Sequence, residues 1–130
     1  MKDKNTSVEC DSGWYVLILE LHESFSRINP NYIVHQVKEK FGGLRFYYSL
    51  PPLDENAPES AHDLQEQQYY DMGILLDNYY YFSLATCEVC GRSGKLRSKS
   101  HWYKTLCEDC AMRLGYEKAV TYDDYNDWHR

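Results

Sequence analysis

The sequence predicts an α+β fold in which a helix, a β-hairpin and a second helix pack on a small four-cysteine finger, treble-clef-like or ribbon-like. Three observations carry that expectation. An apolar pattern of helical period runs through WYVLILELHESFSRI, and a period-two pattern surrounds Gly42-Gly43. Two CxxC pairs, Cys87/Cys90 and Cys107/Cys110, stand sixteen residues apart.

The first helix is expected over residues 13–28. Trp14, Leu17, Ile18, Leu21, Phe25 and Ile28 fall on one face, Asp11 or Ser12 is placed to cap it, and Asn29-Pro30-Asn31 ends it. The hairpin is expected over 32–50. With Gly42-Gly43 as its two-residue turn, Phe41 faces Leu44, Glu39 faces Phe46 and Val37 faces Tyr48. The core face then holds Ile33, Val37, Phe41, Leu44, Phe46, Tyr48 and Leu50, interrupted by His35 and Glu39. The other face holds Gln36, Lys38, Lys40, Arg45 and Tyr47, with Lys40 directly across from Arg45. Like charges so placed repel unless acidic neighbours or an anionic ligand relieve them.

PPLDENAPES, residues 51–60, reads as a linker, and a second helix is expected over 60–84. Its apolar stripe comprises Leu64, Met72, Leu75, Leu76, Tyr79 and Phe82, weakened at Gly73. These elements form a body over 1–86. The finger occupies 87–118, and an acidic aromatic tail follows over 119–130.

The four cysteines have the spacing of a structural Zn²⁺ site. Each CxxC turn sets two sulfurs on one side of a soft, tetrahedral ion, so Cys87, Cys90, Cys107 and Cys110 are expected to bind one zinc. Gly91 closes the first knuckle, KLRS and HWYKTL form a short hairpin, and CEDCAMRLGYEKA starts a helix. That order favours a treble clef; a zinc ribbon would put both pairs on turns. Redox work is disfavoured because the flanks lack the α/β pattern of a thioredoxin-like motif. Cys10 reads as an ordinary thiol outside the site.

Four thiolates close the metal shell, so catalytic zinc is not expected. A nuclease built on a treble clef needs histidines on the hairpin and the following helix; His101 is in place, but the helix after Cys110 has none and His129 lies beyond it. No phosphate-binding glycine loop or nucleophile elbow occurs. The expectation is a protein that is not an enzyme.

Charge separates two binding classes. The chain carries −6 overall, with 6 basic and 13 acidic side chains in 1–86 but 7 basic and 4 acidic in 87–118. The acidic balance points to a protein partner and away from general nucleic-acid binding. The competing class is a nucleic-acid-binding finger, with Arg92, Lys95, Arg97, Lys99 and Lys104 beside Trp102 and Tyr103, extended by Lys38, Lys40, Arg45 and Tyr47 of the hairpin. The bland account of the same cations is compensation of a dianionic zinc–thiolate centre. Thirteen tyrosines suit half-buried rims and binding surfaces alike. No apolar run is long enough to cross a bilayer, and the N-terminus lacks a signal-peptide pattern, so a cytoplasmic, membrane-free protein is expected.

GWYVL (Gly13 to Leu17), QVKEKFGGLRFYY (Gln36 to Tyr48) and the Cys87–Cys110 stretch, with its LR, W and TLC, occur in that order. Together they resemble a family of small proteins encoded in bacteria and bacteriophages. The resemblance implies a bacterial host cytoplasm and a mobile-element origin, and makes an accessory protein that binds and modulates a host protein the leading expectation. It supplies no catalytic residues.

Overall fold

The computed structural model describes residues 7–121. A short strand β1 (Val8–Glu9) precedes a 3-10 turn (Ser12–Trp14) and helix α1 (Tyr15–Ile28). Strands β2 (Ile33–Lys40) and β3 (Gly43–Ser49) form the hairpin, and α2 (Glu59–Ser83) follows the proline-rich linker. The finger contributes β4 (Lys95–Lys99), β5 (Trp102–Leu106) and α3 (Glu108–Leu114). The fold is α+β, as expected. The tail residues 122–130 lie outside the described residues.

β1, which the sequence reading missed, pairs parallel to β2, and β2 pairs antiparallel to β3. Two residues are too few to show a periodicity. Trp14 of the 3-10 turn and Ile18, Leu21 and Phe25 of α1 are buried against Val34, Val37, Leu44 and Phe46 of the sheet and Met72 of α2. Phe25 is the aromatic hub: it meets Phe46 edge-on at 5.5 Å and Tyr32 edge-on at 5.4 Å, a favoured geometry for aromatic rings.

The expected side-chain cap at Asp11 or Ser12 is not made. The backbone N–H of Asp11 instead donates to Glu88 Oε2 at 3.0 Å, tying the start of α1 to the finger.

The hairpin register differs by one residue from the expectation. The turn is Phe41-Gly42, both at positive φ (54° and 83°), and Lys40 pairs with Gly43. Val37 therefore faces Phe46, Glu39 faces Leu44, and Lys38, not Lys40, lies opposite Arg45. Phe41 leaves the core and is exposed. A bulge between Val34 and Gln36 then shifts the parity of β2, so Val34 is buried in place of Ile33. Gly43 is needed for another reason: a Cβ there would stand 2.5 Å from Tyr80 Cε1. One glycine serves the turn and its neighbour serves close packing.

α2 covers the outer edge of β3. Leu44 N–H donates to Ser83 Oγ at 3.0 Å and Leu50 N–H to Tyr69 Oη at 2.8 Å, so two edge groups are satisfied by hydroxyls. Met72 is its fully buried apolar residue, with Leu75, Leu76 and Tyr79 packed beside it. Leu64 and Phe82, expected in the stripe, are exposed instead. Leu64 is one turn ahead of the sheet contact, and Phe82 packs edge-on against Tyr79.

Candidate metal centre and the seat of the finger

Cys87 and Cys90 lie on a knuckle closed at Gly91 (φ 82°), where Gly91 N–H donates to Cys87 O at 2.9 Å. Cys107 is the N-cap of α3, and Cys110 lies in its first turn. Knuckle, hairpin and a CxxC entering a helix thus follow one another, so the second pair lies at a helix start and not on a turn. α3 ends at Gly115 (φ 78°), with Tyr116 N–H returning to Ala111 O at 2.8 Å.

The four sulfurs all lie within 4.8 Å of one another, with Cys90 Sγ and Cys107 Sγ 3.6 Å apart. A tetrahedron with metal–sulfur bonds of about 2.3 Å has edges of about 3.8 Å, so the cluster can hold a metal ion with little adjustment. Disulfides do not account for it, because all four cysteines are unbridged. Cys110 N–H donates to Cys107 Sγ at 3.4 Å and Arg113 Nη2 to Cys110 Sγ at 3.7 Å, donors that favour thiolates.

The thiols do not ionise alike. Burial opposes ionisation of Cys87, but the backbone N–H groups of Cys107, Cys90 and Val89 outweigh it and bring the thiol down to about 7. Burial and then the neighbouring sulfurs push Cys110 up to about 12. Cys87 is thus the sulfur readiest to bind a cation, and Cys110 gives up its proton as the charge is neutralised.

The finger sits on the body through groups from all three sequence motifs. Gly13 admits the knuckle: a Cβ there would stand 2.3 Å from Cys87 O and 2.4 Å from Glu88 O. Trp14 Nε1 donates to Thr86 O at 2.9 Å, and the buried Thr105 hydroxyl donates to Gly42 O at 2.7 Å. Glu88, between the first two cysteines, is 2 % exposed. Its carboxylate accepts from Lys104 Nζ at 3.0 Å and from Asp11 N–H. Sequence reasoning missed Glu88 because nothing in CEVC marks its second residue as buried. Gly13 was visible in GWYVL, though its purpose was not.

The finger cations are placed unequally. Lys104 is in the buried pair, Arg97 Nε donates to Leu106 O at 2.9 Å, and Lys99 Nζ donates to Leu114 O at 2.9 Å. Arg92 is exposed and 3.8 Å from Asp109, and Lys95 is exposed. Trp102 is 73 % exposed and lines a cleft of about 490 Å³ with Tyr103, His101, Lys40 and Phe41. Ser100 and His101, at φ 47° and 71°, form the two-residue turn beside it. Lys38, Arg45 and Tyr47 share the outer face of the hairpin, with Lys38 Nζ 5.9 Å above the Tyr47 ring. Arg45 and Tyr47 line a second cleft, against α2.

Cys10 lies outside the metal cluster and packs at the rim of the core. It is a free thiol outside the site, as expected, and burial and the nearby carboxylate of Glu88 push it up to about 12. No helix among the described residues is long and apolar enough to cross a membrane.

Comparison with known proteins finds no matching family model, no matching curated protein and no matching solved structure.

Proposed function

We propose that the protein is a small non-enzymatic zinc protein of phage or mobile-element type that binds and modulates a host protein in the bacterial cytoplasm. An all-sulfur donor set selects zinc among the common divalent ions, and four thiolates leave no position for a reacting water. The metal's role is structural: it holds together a finger whose buried apolar cluster, among the described residues, is Leu106, Ala111, Cys87, Cys107 and Cys110.

The observation that carries partner binding is the outward face of α2. Tyr70, Ile74 and Tyr81 are 67 %, 47 % and 63 % exposed, and their i, i+4, i+11 spacing puts them on one helical face, opposite Met72 and Tyr79. Aromatic and aliphatic side chains lined up in water are the anchors of protein interfaces. The occupied state of Lys104, Arg97 and Lys99 supports the same reading, since those cations already serve the protein's own fold.

A nucleic-acid reading keeps one observation in its favour, the cleft that sets Trp102 and Tyr103 beside Lys40. A tagged pull-down from a bacterial lysate, with and without nuclease, separates the two. A stoichiometric protein that survives nuclease and is lost with Tyr70→Ser/Ile74→Ser supports the first. Recovery of nucleic acid, with proteins lost after nuclease, overturns it.

A further inference from the structure

In β3, the backbone N–H groups of Leu44, Phe46, Tyr48 and Leu50 point away from β2, because the antiparallel ladder uses the alternate residues. Ser83 and Tyr69 of α2 take the two end groups, at Leu44 and Leu50. Between those caps the helix stands off, leaving a cleft of about 430 Å³ with Phe46 on its strand wall. Arg45 and Tyr47 flank it on the strand side, and Asp77, Tyr80 and Tyr81 on the helix side.

Arg45 is held in an unfinished state. Its guanidinium lies 5.4 Å from the Tyr80 ring centroid, and its Nε is buried without a hydrogen-bond acceptor among the described residues. The ion pairs among the described residues involve Arg92 and Lys104, not Arg45. Directly across the ladder stands Lys38, a second cation. A buried donor on a charged group with no acceptor, next to a like charge, is costly, and an anionic oxygen pair at the outer nitrogens of the guanidinium would offset the repulsion.

We propose that this cleft is a peptide-docking site in which a carboxylate from an extended segment of a partner protein takes the Arg45 guanidinium. The inference rests on the protein-binding reading above and names its chemistry. The carboxylate fits the fork of the guanidinium, which Tyr80 holds from one face. An extended segment suits the open stretch of β3 edge, and Tyr47 and Tyr81 wall the residues beside the acid. With Asp77 on the helix wall, Arg45 and Lys38 leave one positive charge uncompensated, which a single carboxylate neutralises and a strand of phosphates exceeds.

The test selects a phage-displayed random dodecapeptide library on the zinc-loaded full chain. Enriched peptides are synthesised and titrated against wild type, Arg45→Gln, Arg45→Lys and Tyr81→Ser, and their contacts are mapped by amide shifts on the wild type. The proposal expects a fixed Asp or Glu in the enriched set and shifts at 44–47 and 76–81. It also expects a loss of about tenfold or more with Arg45→Gln and a smaller loss with Arg45→Lys. Enriched peptides without an acid, unchanged binding to Arg45→Gln, or shifts elsewhere overturn it, and so does a library that yields no binder. A host protein recovered in the pull-down whose binding survives Arg45→Gln removes this site and leaves the protein-binding reading standing.

Discussion

Glu88 and Lys104 form an ion pair at the seam of finger and body, with Nζ 3.0 Å from Oε1 and the Glu88 side chain 2 % exposed. Asp11 stands 4.0 Å from the same ammonium, and Asp11 N–H satisfies the other carboxylate oxygen. Burial alone would lower the Lys104 pKa, but the hydrogen bond to Glu88 and the charges of Glu88, Glu39 and Asp11 raise it above the ordinary lysine value. The residue after Cys87 is thus clamped by β5, the strand that leads into Cys107.

Removing one member of this pair leaves the other uncompensated. Lys104→Met is expected to destabilise the metal-loaded protein by about 2–3 kcal/mol, at the low end for a buried pair because the ammonium keeps some hydration. Denaturant unfolding measures it, and Glu88→Gln combined with Lys104→Met should recover part of the loss. The sign with pH follows from the raised pKa: the pair's stabilisation is full below about pH 10, where lysine is charged even when unfolded, and is lost as pH rises through the folded value. A Lys104→Met variant with unchanged stability would show that the seam does not depend on the pair.

Two glycines give opposite predictions for the same substitution. Gly13→Ala places a Cβ within 2.5 Å of knuckle backbone that cannot yield cheaply, so the finger must lift from α1. A loss of about 2 kcal/mol or more is expected, comparable to overpacking in a core. At Gly73, inside α2, a Cβ meets nothing within 4 Å, and Gly73→Ala should add up to about 1 kcal/mol through helix propensity. Thermal melts of the two variants side by side check both signs.

Much of this arrangement was legible beforehand, and the failures have physical causes. The long helices, the cysteine quartet and the finger order were visible because each repeats a pattern over many residues or at fixed spacing. The hairpin register was misread because Gly42 and Gly43 look alike in sequence, while one answers a positive φ and the other the approach of Tyr80. The bulge beyond Val34 then reversed which residue of Ile33-Val34 is buried, a shift with no local marker. Sequence shows the charge of the finger's basic residues but not their partners. Glu88, Leu106 O and Leu114 O, which engage Lys104, Arg97 and Lys99, become neighbours only in the fold.

Thiol reactivity should divide the five cysteines. In the zinc-loaded protein at pH 8, a disulfide reagent is expected to find no rapidly reacting thiol, because the four ligands are metal-bound and Cys10 is held near 12 by burial. Chelation should unfold the finger, exposing its four thiols to rapid reaction, and leave Cys10 slow while the body stays folded. Cys10→Ser should keep the metal stoichiometry of the wild type, whereas Cys90→Ser should lower it. The sign of the Cys10 shift also predicts alkaline behaviour. Both states are protonated below about pH 8.5; above it the unfolded thiol ionises first, so this contribution to stability fades as pH climbs towards the folded value. Rapid labelling of Cys10 in the loaded protein would contradict its placement.

The turn of the finger hairpin offers a gain in stability. Ser100 and His101 both adopt positive φ between the paired Lys99 and Trp102, the geometry of a type I′ turn, for which Asn-Gly is the favoured pair. Neither residue suits that backbone as well as Asn or Gly would, at a cost of about 1 kcal/mol each. Ser100→Asn with His101→Gly is therefore expected to raise the stability of the zinc-loaded protein by about 1 kcal/mol or more. The double variant keeps Trp102, Tyr103 and Lys40 on the rim of the adjoining cleft and changes only Ser100 and His101 there. If stability rises and partner binding in the pull-down is unchanged, the strained turn serves no contact with the partner. If stability rises while binding falls, His101 or the shape of this turn belongs to the interface, and the cleft beside Trp102 joins the face of α2 as part of the partner's footprint.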